Sequence, residues 1–194
     1  MKFGIHETME MHEVLRESVS MIDHYAMYLN QCQDQDLRNI LERQQRHMID
    51  DYQRKINVMQ GHGIDTTTAP RLSIESTGIE TNRLTNTMGP QYGIQRTTPI
   101  HPNPDSRRLN DRSIAQGALL FHKCGAVRST NAALECAEPH LRDLLMSSAR
   151  SCMEMSYELF QYMNQRGWYQ VPEMPRQFIN HMQNTYQSTT HQFS

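Results

Sequence analysis

The sequence predicts an all-α protein, a four-helix bundle made of two antiparallel helical hairpins with a long crossover and a C-terminal tail. Four long segments carry apolar residues at intervals of three and four, the spacing of a helix face that packs into a core. Between the second and third segments lies a stretch rich in Pro, Gly and Thr, without lasting apolar periodicity. These observations indicate two hairpins that are separated in sequence and packed together in space.

The first hairpin is expected over residues 5–61. Its first helix, from about 5 to 32, and its second, from about 35 to 60, each carry a continuous apolar face. The polar turn between them offers Asp34 as an N-cap, and Gly61 stands where a glycine commonly ends a helix. Because this turn is short, the two helices are predicted to be antiparallel neighbours.

Residues 62–108 form the predicted crossover or linker. The segment contains five prolines and many small polar residues. A loop of this length is rare inside one domain unless it is functional, disordered or needed to cross the whole bundle. A bundle with such a crossover has the ferritin-like layout, in which the second and third helices run parallel. We also expect this segment to be mobile and to be cut first by proteases.

The third helix, expected over 109–138, organises the rest of the chain. Asn110 or Asp111 can cap its N-terminus. Gly117 and Gly125 lie inside it, although glycine in a helix interior costs about 1 kcal/mol relative to alanine. The two glycines therefore predict that another backbone comes close to this helix.

A fourth helix, from about 138 to 166, completes the second hairpin, which spans 109–167. Pro139 is well tolerated in a first helical turn, and Gly167 follows the last apolar position. The apolar face between these two residues contains Leu141, Leu144, Leu145, Cys152, Met155, Leu159, Tyr162 and Met163.

The tail, residues 168–194, is aromatic at its beginning and polar at its end. Trp168 and Tyr169 are predicted to be extended, and Pro175 can start a short helix. The apolar residues of that helix are Phe178, Ile179, Met182 and Tyr186. Exposed Trp and Phe are unfavourable, so we expect the tail to fold back onto the bundle, with docking elsewhere as the alternative. The last eight residues are expected to be disordered.

Composition excludes several classes of function. The net charge is -2 and no basic run is present, which argues against binding nucleic acid. The N-terminus has no apolar segment of the kind found in signal peptides, and no apolar run is long enough to span a membrane. We therefore expect synthesis in the cytoplasm. The four cysteines lack CxxC spacing and are expected to be buried thiols.

The ferritin-like layout raises the question of a di-iron site. Such a site needs a Glu from each of two helices and a Glu-x-x-His from each of the other two. The second helix offers Gln44 three residues before His47, so an amide stands in place of the acid. In the fourth helix Glu154 is followed at that interval by Tyr157, and the middle of the third helix has no acid. The sequence therefore predicts no catalytic, cofactor-binding or di-iron residues.

A simpler metal site stays open as a hypothesis. If the second and third helices run parallel, His47 and His122 lie at similar heights in the bundle, near Cys152. Imidazole and thiolate groups bind soft or borderline metal ions. The alternative is that all three side chains are ordinary buried groups with satisfied hydrogen bonds.

The run FHKCGAVRSTNAALECAEPHLRDLL, from Phe121 to Leu145, resembles the spore coat protein F family of endospore-forming bacteria. The run GWYQVPEMP, from Gly167 to Pro175, is similar to the C-terminal pattern of that family. The resemblance is strong over the C-terminal half of the chain and weak over the N-terminal half. It implies a ferritin-like bundle that is deposited in the spore coat and has a structural role.

We therefore predict a non-catalytic structural or assembly component of the spore coat. Its expected partners are other spore coat proteins; a homo-oligomer is left open, and neither nucleic acid nor a membrane span is expected. Two alternatives remain at this point. One is a ferritin-like metal-binding or oxidase protein with a degenerate site, and the other is a helical adaptor that binds partners through its Met-rich faces and its tail.

Overall fold

The structure, a computed structural model, describes residues 3–61, 89–95, 100–102 and 104–186. The expected mobility and protease sensitivity of the crossover concern mainly 62–88, which lies outside the described residues. The same holds for the expected disorder of the last eight residues.

The described part of the chain is all-helical, and the predicted fold class is confirmed. Its helices are α1 (Ile5–Gln31), α2 (Gln35–Met59), α3 (Asp111–Leu134), α4 (Pro139–Gln165) and α5 (Arg176–Thr185). None of them is both long and apolar enough to cross a lipid bilayer.

Each of the four long helices packs against two neighbours. α1 contacts α2 and α3, while α4 contacts α3 and α2. The end of α1 meets the beginning of α3, where the Gln33 amide donates to Asp111 Oδ1 (2.8 Å). The end of α4 meets the beginning of α2, where the Arg166 guanidinium lies 3.1 Å from Asp34 Oδ2. All neighbouring helices are therefore antiparallel, and α2 and α3 run in the same direction, as a crossover requires.

Side-chain caps begin the helices where local sequence predicts them. Asp34 Oδ1 accepts the Leu37 amide (2.9 Å) at the start of α2. Asn110 Oδ1 accepts the Ser113 amide (2.9 Å), so Asn110 is the residue that caps α3. Pro139 occupies the first turn of α4, where a missing N–H costs nothing.

Gly167 ends α4 with a left-handed residue, at φ +68°. The Trp168 amide donates to Met163 O (2.8 Å) and the Gly167 amide to Asn164 O (2.9 Å), which is the hydrogen-bond pair of a Schellman motif. This turn directs the following aromatic residues back along the bundle. Gly61, at φ +76°, follows the end of α2 in the same conformation.

The apolar core consists of two clusters along the bundle axis. The larger one draws on all four long helices and is centred on Tyr25, Leu41, Leu119 and Leu159. The smaller one contains Met11, Val14, Val58, Ala132, Ala133, Leu141, Leu144 and Leu145. Buried polar side chains also enter the core, among them Gln44, His122 and Glu158, and the candidate site is built from them.

The glycines of α3 are close to side chains of neighbouring helices. A Cβ on Gly117 would collide with the hydroxyl of Tyr28 on α1. A Cβ on Gly125 would lie 3.1 Å from Cys152 Sγ on α4. The expectation of close packing is thus right, but the expectation that backbone makes the approach is wrong, because side chains occupy the space that glycine leaves.

The first part of the tail packs on the bundle. Trp168 stacks edge-on against Tyr162 with ring centroids 5.8 Å apart, and Tyr169 meets Phe160 at 5.2 Å. The next residues hold a piece of the crossover, since the Gly93 amide donates to the Val171 carbonyl (2.9 Å).

α5 does not fold back, contrary to the expectation from sequence. None of its residues is buried, and Phe178 is 61% exposed. Pro172 and Pro175 lie in the connection and favour an extended chain, which carries the helix away from the bundle.

Candidate functional site: the polar section of the bundle core

A hydrogen-bonded layer crosses the bundle, with one side chain from each long helix. We call Tyr25, Gln44, His122 and Glu158 the Tyr25 layer. Tyr25 donates its hydroxyl proton to Gln44 Oε1 (2.7 Å), and His122 Nε2 lies 2.5 Å from the tyrosine oxygen. Gln44 Nε2 donates to Glu158 Oε2 (2.9 Å), and the other oxygen of that carboxylate pairs with Arg43.

Gln44 connects the layer because an amide both accepts and donates. Its oxygen takes the Tyr25 proton, while its nitrogen reaches Glu158. A carboxylate at this position could not donate. With an amide here the layer contains a single acid, which is already paired with Arg43. The layer is therefore a hydrogen-bond network and not a set of carboxylate ligands.

Burial controls the charge state of the layer. Desolvation lowers the pKa of His122 to about 3, assisted by nearby His47, so His122 is neutral near pH 7. Burial also raises the pKa of Tyr25 well above its ordinary value, which keeps the phenol protonated. For Glu158 burial raises the pKa, while Arg43 and Gln44 oppose the shift.

A second polar cluster joins α2 to α4. Ser148 Oγ lies 2.9 and 3.0 Å from the two oxygens of Asp51, which also pairs with Lys55 and, at 3.2 Å, with Arg54. Burial by itself raises the pKa of Asp51, but Lys55, Ser148 and Arg54 together hold it below its ordinary value. Asp51 is thus an ionised carboxylate whose oxygens are already occupied.

A cavity of about 30 Å³ lies between the Tyr25 layer and the Asp51 cluster. All four long helices line it, with Met21, His47, Gly125 and Cys152 among the lining residues. His47 is 8% exposed, and its Nε2 has no hydrogen-bond partner among the described residues. A buried nitrogen without a partner is uncommon and marks this cavity for attention.

The three residues of the metal hypothesis do not form one site. His122 Nε2 belongs to the Tyr25 layer, whereas His47 and Cys152 line the cavity. Within the described ranges, no group of three or more His, Cys, Asp or Glu side chains is arranged to hold a metal ion.

Sequence reasoning missed the buried acids. It considered Glu154 in α4, but the acid that enters the core is Glu158, which is 8% exposed. A signal was present, since Glu158 stands three residues after Met155 and four before Tyr162, on the predicted core face. Asp51 likewise follows core residue Met48 by three positions. An acidic residue at such a position is easily assumed to lie at the boundary between the buried and the exposed side of the helix.

Comparison with known proteins finds a family match for part of the bundle. Residues 110–172 match the Coat F domain, a segment that covers α3, α4 and the packed part of the tail. This segment of the chain is therefore similar to the Coat F family. Over 183 residues it is 29% identical to the spore coat protein F-like protein YhcQ of Bacillus subtilis, covering 94% of this chain and 80% of that protein.

A solved structure shares the fold of this chain. The crystal structure of a candidate spore coat protein from Bacillus halodurans superimposes with a TM-score of 0.64. The match covers 90% of this chain and 96% of the other, at 14% sequence identity. At this low identity the comparison shows only that the two proteins share an arrangement of helices.

Proposed function

We propose that this protein is a structural component of the bacterial spore coat, where it acts by packing and contact and not by catalysis. The observation that carries the proposal is the Coat F match over 110–172, together with the similarity of almost the whole chain to a spore coat protein F-like protein.

The chemistry of the interior supports a structural role. Two acids that enter the core each have a cationic partner: Glu158 pairs with Arg43 and also accepts from Gln44, and Asp51 pairs with Lys55. Networks of this kind fix helix register and specify one packing, because a shifted helix would leave buried charges unpaired. A rigid bundle is a suitable unit for a layered protein shell.

Contact with other coat proteins is assigned to the surface of α5. Phe178 and Met182 are four residues apart and share one face of α5 with Ile179. Apart from Arg176, the opposite face is built mainly of amides and carries no acid. A helix that binds a membrane surface generally carries a row of Lys and Arg, so this helix fits a groove on a protein.

The experiment follows a fluorescent fusion of the full chain in sporulating Bacillus subtilis. The expected result is a signal that gathers on the forespore surface and stays with purified spores. Signal that remains diffuse in the mother cell would overturn the proposal.

Paired variants of α5 test the contact surface separately. Phe178→Asp with Met182→Asp places two charges on the apolar face and is expected to reduce coat retention. Asn180→Asp with Gln183→Asp adds the same charge to the polar face and is expected to leave retention unchanged. Equal behaviour of the two pairs would remove α5 from the proposal while leaving the coat location intact.

A further inference from the structure

His47 of α2 and Cys152 of α4 lie at the same level of the bundle, and both line the cavity. Gln44 Nε2 reaches the Met155 carbonyl (3.2 Å) on one side of this level, and Ser148 Oγ reaches Asp51 on the other. Since α2 and α4 are antiparallel, these two contacts set His47 opposite Cys152.

Two sulfur atoms lie close to the space that a side chain at position 125 would occupy, which Gly125 leaves empty. A Cβ at this position would lie 3.1 Å from Cys152 Sγ and 3.6 Å from Met21 Sδ. The thiol comes from α4 and the thioether from α1, so two helices direct sulfur to the same point. The void is large enough for one ion or one water molecule.

The third atom is the imidazole nitrogen of His47. This side chain is more than nine-tenths buried and lines the same cavity, and its Nε2 has no partner in the part of the chain described here. A buried polar atom left unpaired carries a desolvation cost that a bound ligand would offset. A nitrogen, a thiol and a thioether therefore border one small space.

We propose that this cavity is a binding site for a single Cu(I) ion, with Cys152 Sγ, Met21 Sδ and His47 Nε2 as ligands. Thiolate and thioether sulfurs select Cu(I), and imidazole also suits copper. Binding replaces the S–H bond of Cys152 by a Cu–S bond and releases the proton to solvent, with no change in oxidation state.

Nearby carboxylates do not favour a harder ion. Asp51 is held by Lys55 and Ser148, and Glu17 lies 3.6 Å from the Arg128 guanidinium. Zinc sites use Cys, His and carboxylate ligands, and among the described residues no three side chains of those types are arranged to hold one ion. The third proposed ligand, Met21, is a thioether, and a thioether binds a soft monovalent ion in preference to zinc. The site is independent of the proposed coat function.

The test is a Cu(I) titration of the full chain against a chromophoric Cu(I) chelator, without oxygen. Cys124→Ser and Cys136→Ser form the background, because these two thiols are accessible and would bind copper on their own. One Cu(I) per chain is expected, and X-ray absorption should show both nitrogen and sulfur ligands.

Each ligand is then changed in that background. Cys152→Ser, Met21→Leu and His47→Gln are each expected to weaken Cu(I) affinity by about tenfold or more, since each removes a ligand. Met153→Leu changes an exposed methionine of α4 and is expected to leave the affinity unchanged. Met21→Leu conserves volume, so circular dichroism and thermal melting can show that its fold is retained.

Two results would overturn the site. One is a Cu(I) affinity that does not change in Cys152→Ser or in folded Met21→Leu. The other is displacement of bound Cu(I) by an equal concentration of zinc, which the thioether ligand does not favour.

Discussion

Glu7 is a buried acid that joins the beginning of α1 to the turn between α3 and α4. Its Oε2 accepts the Gly4 amide (2.5 Å), and its Oε1 accepts the amides of Ala137 (2.7 Å) and Glu138 (2.6 Å). The bonds from Gly4 and Glu138 lower the pKa of Glu7, against the effect of burial. One carboxylate thus closes one end of the bundle.

Glu7→Gln is expected to lower the free energy of unfolding at pH 7 by about 1–3 kcal/mol, because the new NH₂ group would face an amide donor. The folded pKa of Glu7 is below its unfolded pKa, so its contribution is present at neutral pH and lost as the pH falls through the folded value. The difference between the proteins should therefore shrink in acid. Urea unfolding at pH 7 and below pH 4 measures it.

Glu13→Gln is the matched control, since Glu13 is an exposed acid of the same helix, paired only with Arg16 at 3.4 Å. Its effect should stay within about 0.5 kcal/mol. If Glu7→Gln and Glu13→Gln changed the free energy of unfolding equally, the Glu7 carboxylate would not stabilise the contact between α1 and the α3–α4 turn.

His122 should make the fold sensitive to acid. Its pKa is about 3 in the folded protein and has a reference value of 6.5. Between these values the unfolded chain binds more protons, so stability falls as the pH is lowered through this range. His122→Gln removes that contribution, and its free energy of unfolding should decline less steeply from pH 7 to pH 4 than that of the natural chain. Parallel declines would show that His122 titrates normally in the fold.

At the scale of the helices, the position of α3 depends on the side chains that pack against its two glycines. Gly117 accommodates the Tyr28 hydroxyl, and Gly125 accommodates Cys152. Glycine disfavours the helix by about 1 kcal/mol at each position, so the packing it allows must compensate for that cost.

Gly117→Ala is expected to destabilise the protein by about 1–3 kcal/mol, because the new methyl group collides with Tyr28. In a Tyr28→Phe background the hydroxyl is gone and the nearest ring atom is Cζ at 3.1 Å, so the same change should cost less, since helix propensity offsets about 1 kcal/mol. Thermal melts of the four proteins in this cycle give the coupling. An equal cost in both backgrounds would contradict the contact.

The helices themselves were predictable from sequence because their determinants are local. Asp34 and Asn110 cap by bonding amides three residues away, and Gly167 ends α4 through its own backbone conformation. The role of Glu158 was not predictable in this way, because its partners Arg43 and Gln44 lie on another helix.

At the scale of the whole molecule, the bundle extends slightly beyond α4. Trp168 and Tyr169 pack against the larger apolar cluster, and the Coat F match ends at residue 172. α5 begins after that point and buries nothing. The described part of the chain thus consists of a packed bundle and an appended helix with no buried residue.

A chain that ends after Pro172 should keep the free energy of unfolding of the full chain within about 0.5 kcal/mol. A chain that ends after Gly167 also loses Trp168 and Tyr169, and should be less stable by about 3 kcal/mol or more. Denaturant unfolding of the two truncations and the full chain provides the measurement. A large loss in the longer truncation would mean that α5 packs on the bundle after all.

Sequence alone determined the four long helices and their pairing into hairpins, because periodicity, caps and glycine ends act within a few residues. It also showed a resemblance to the Coat F family, which the match over 110–172 supports. It also predicted that α3 would be closely packed. Only the tertiary structure decided which groups meet around it. The Tyr25 layer, the Asp51 cluster and the cavity beside Gly125 depend on the relative heights of four helices, and partners on different helices set those heights.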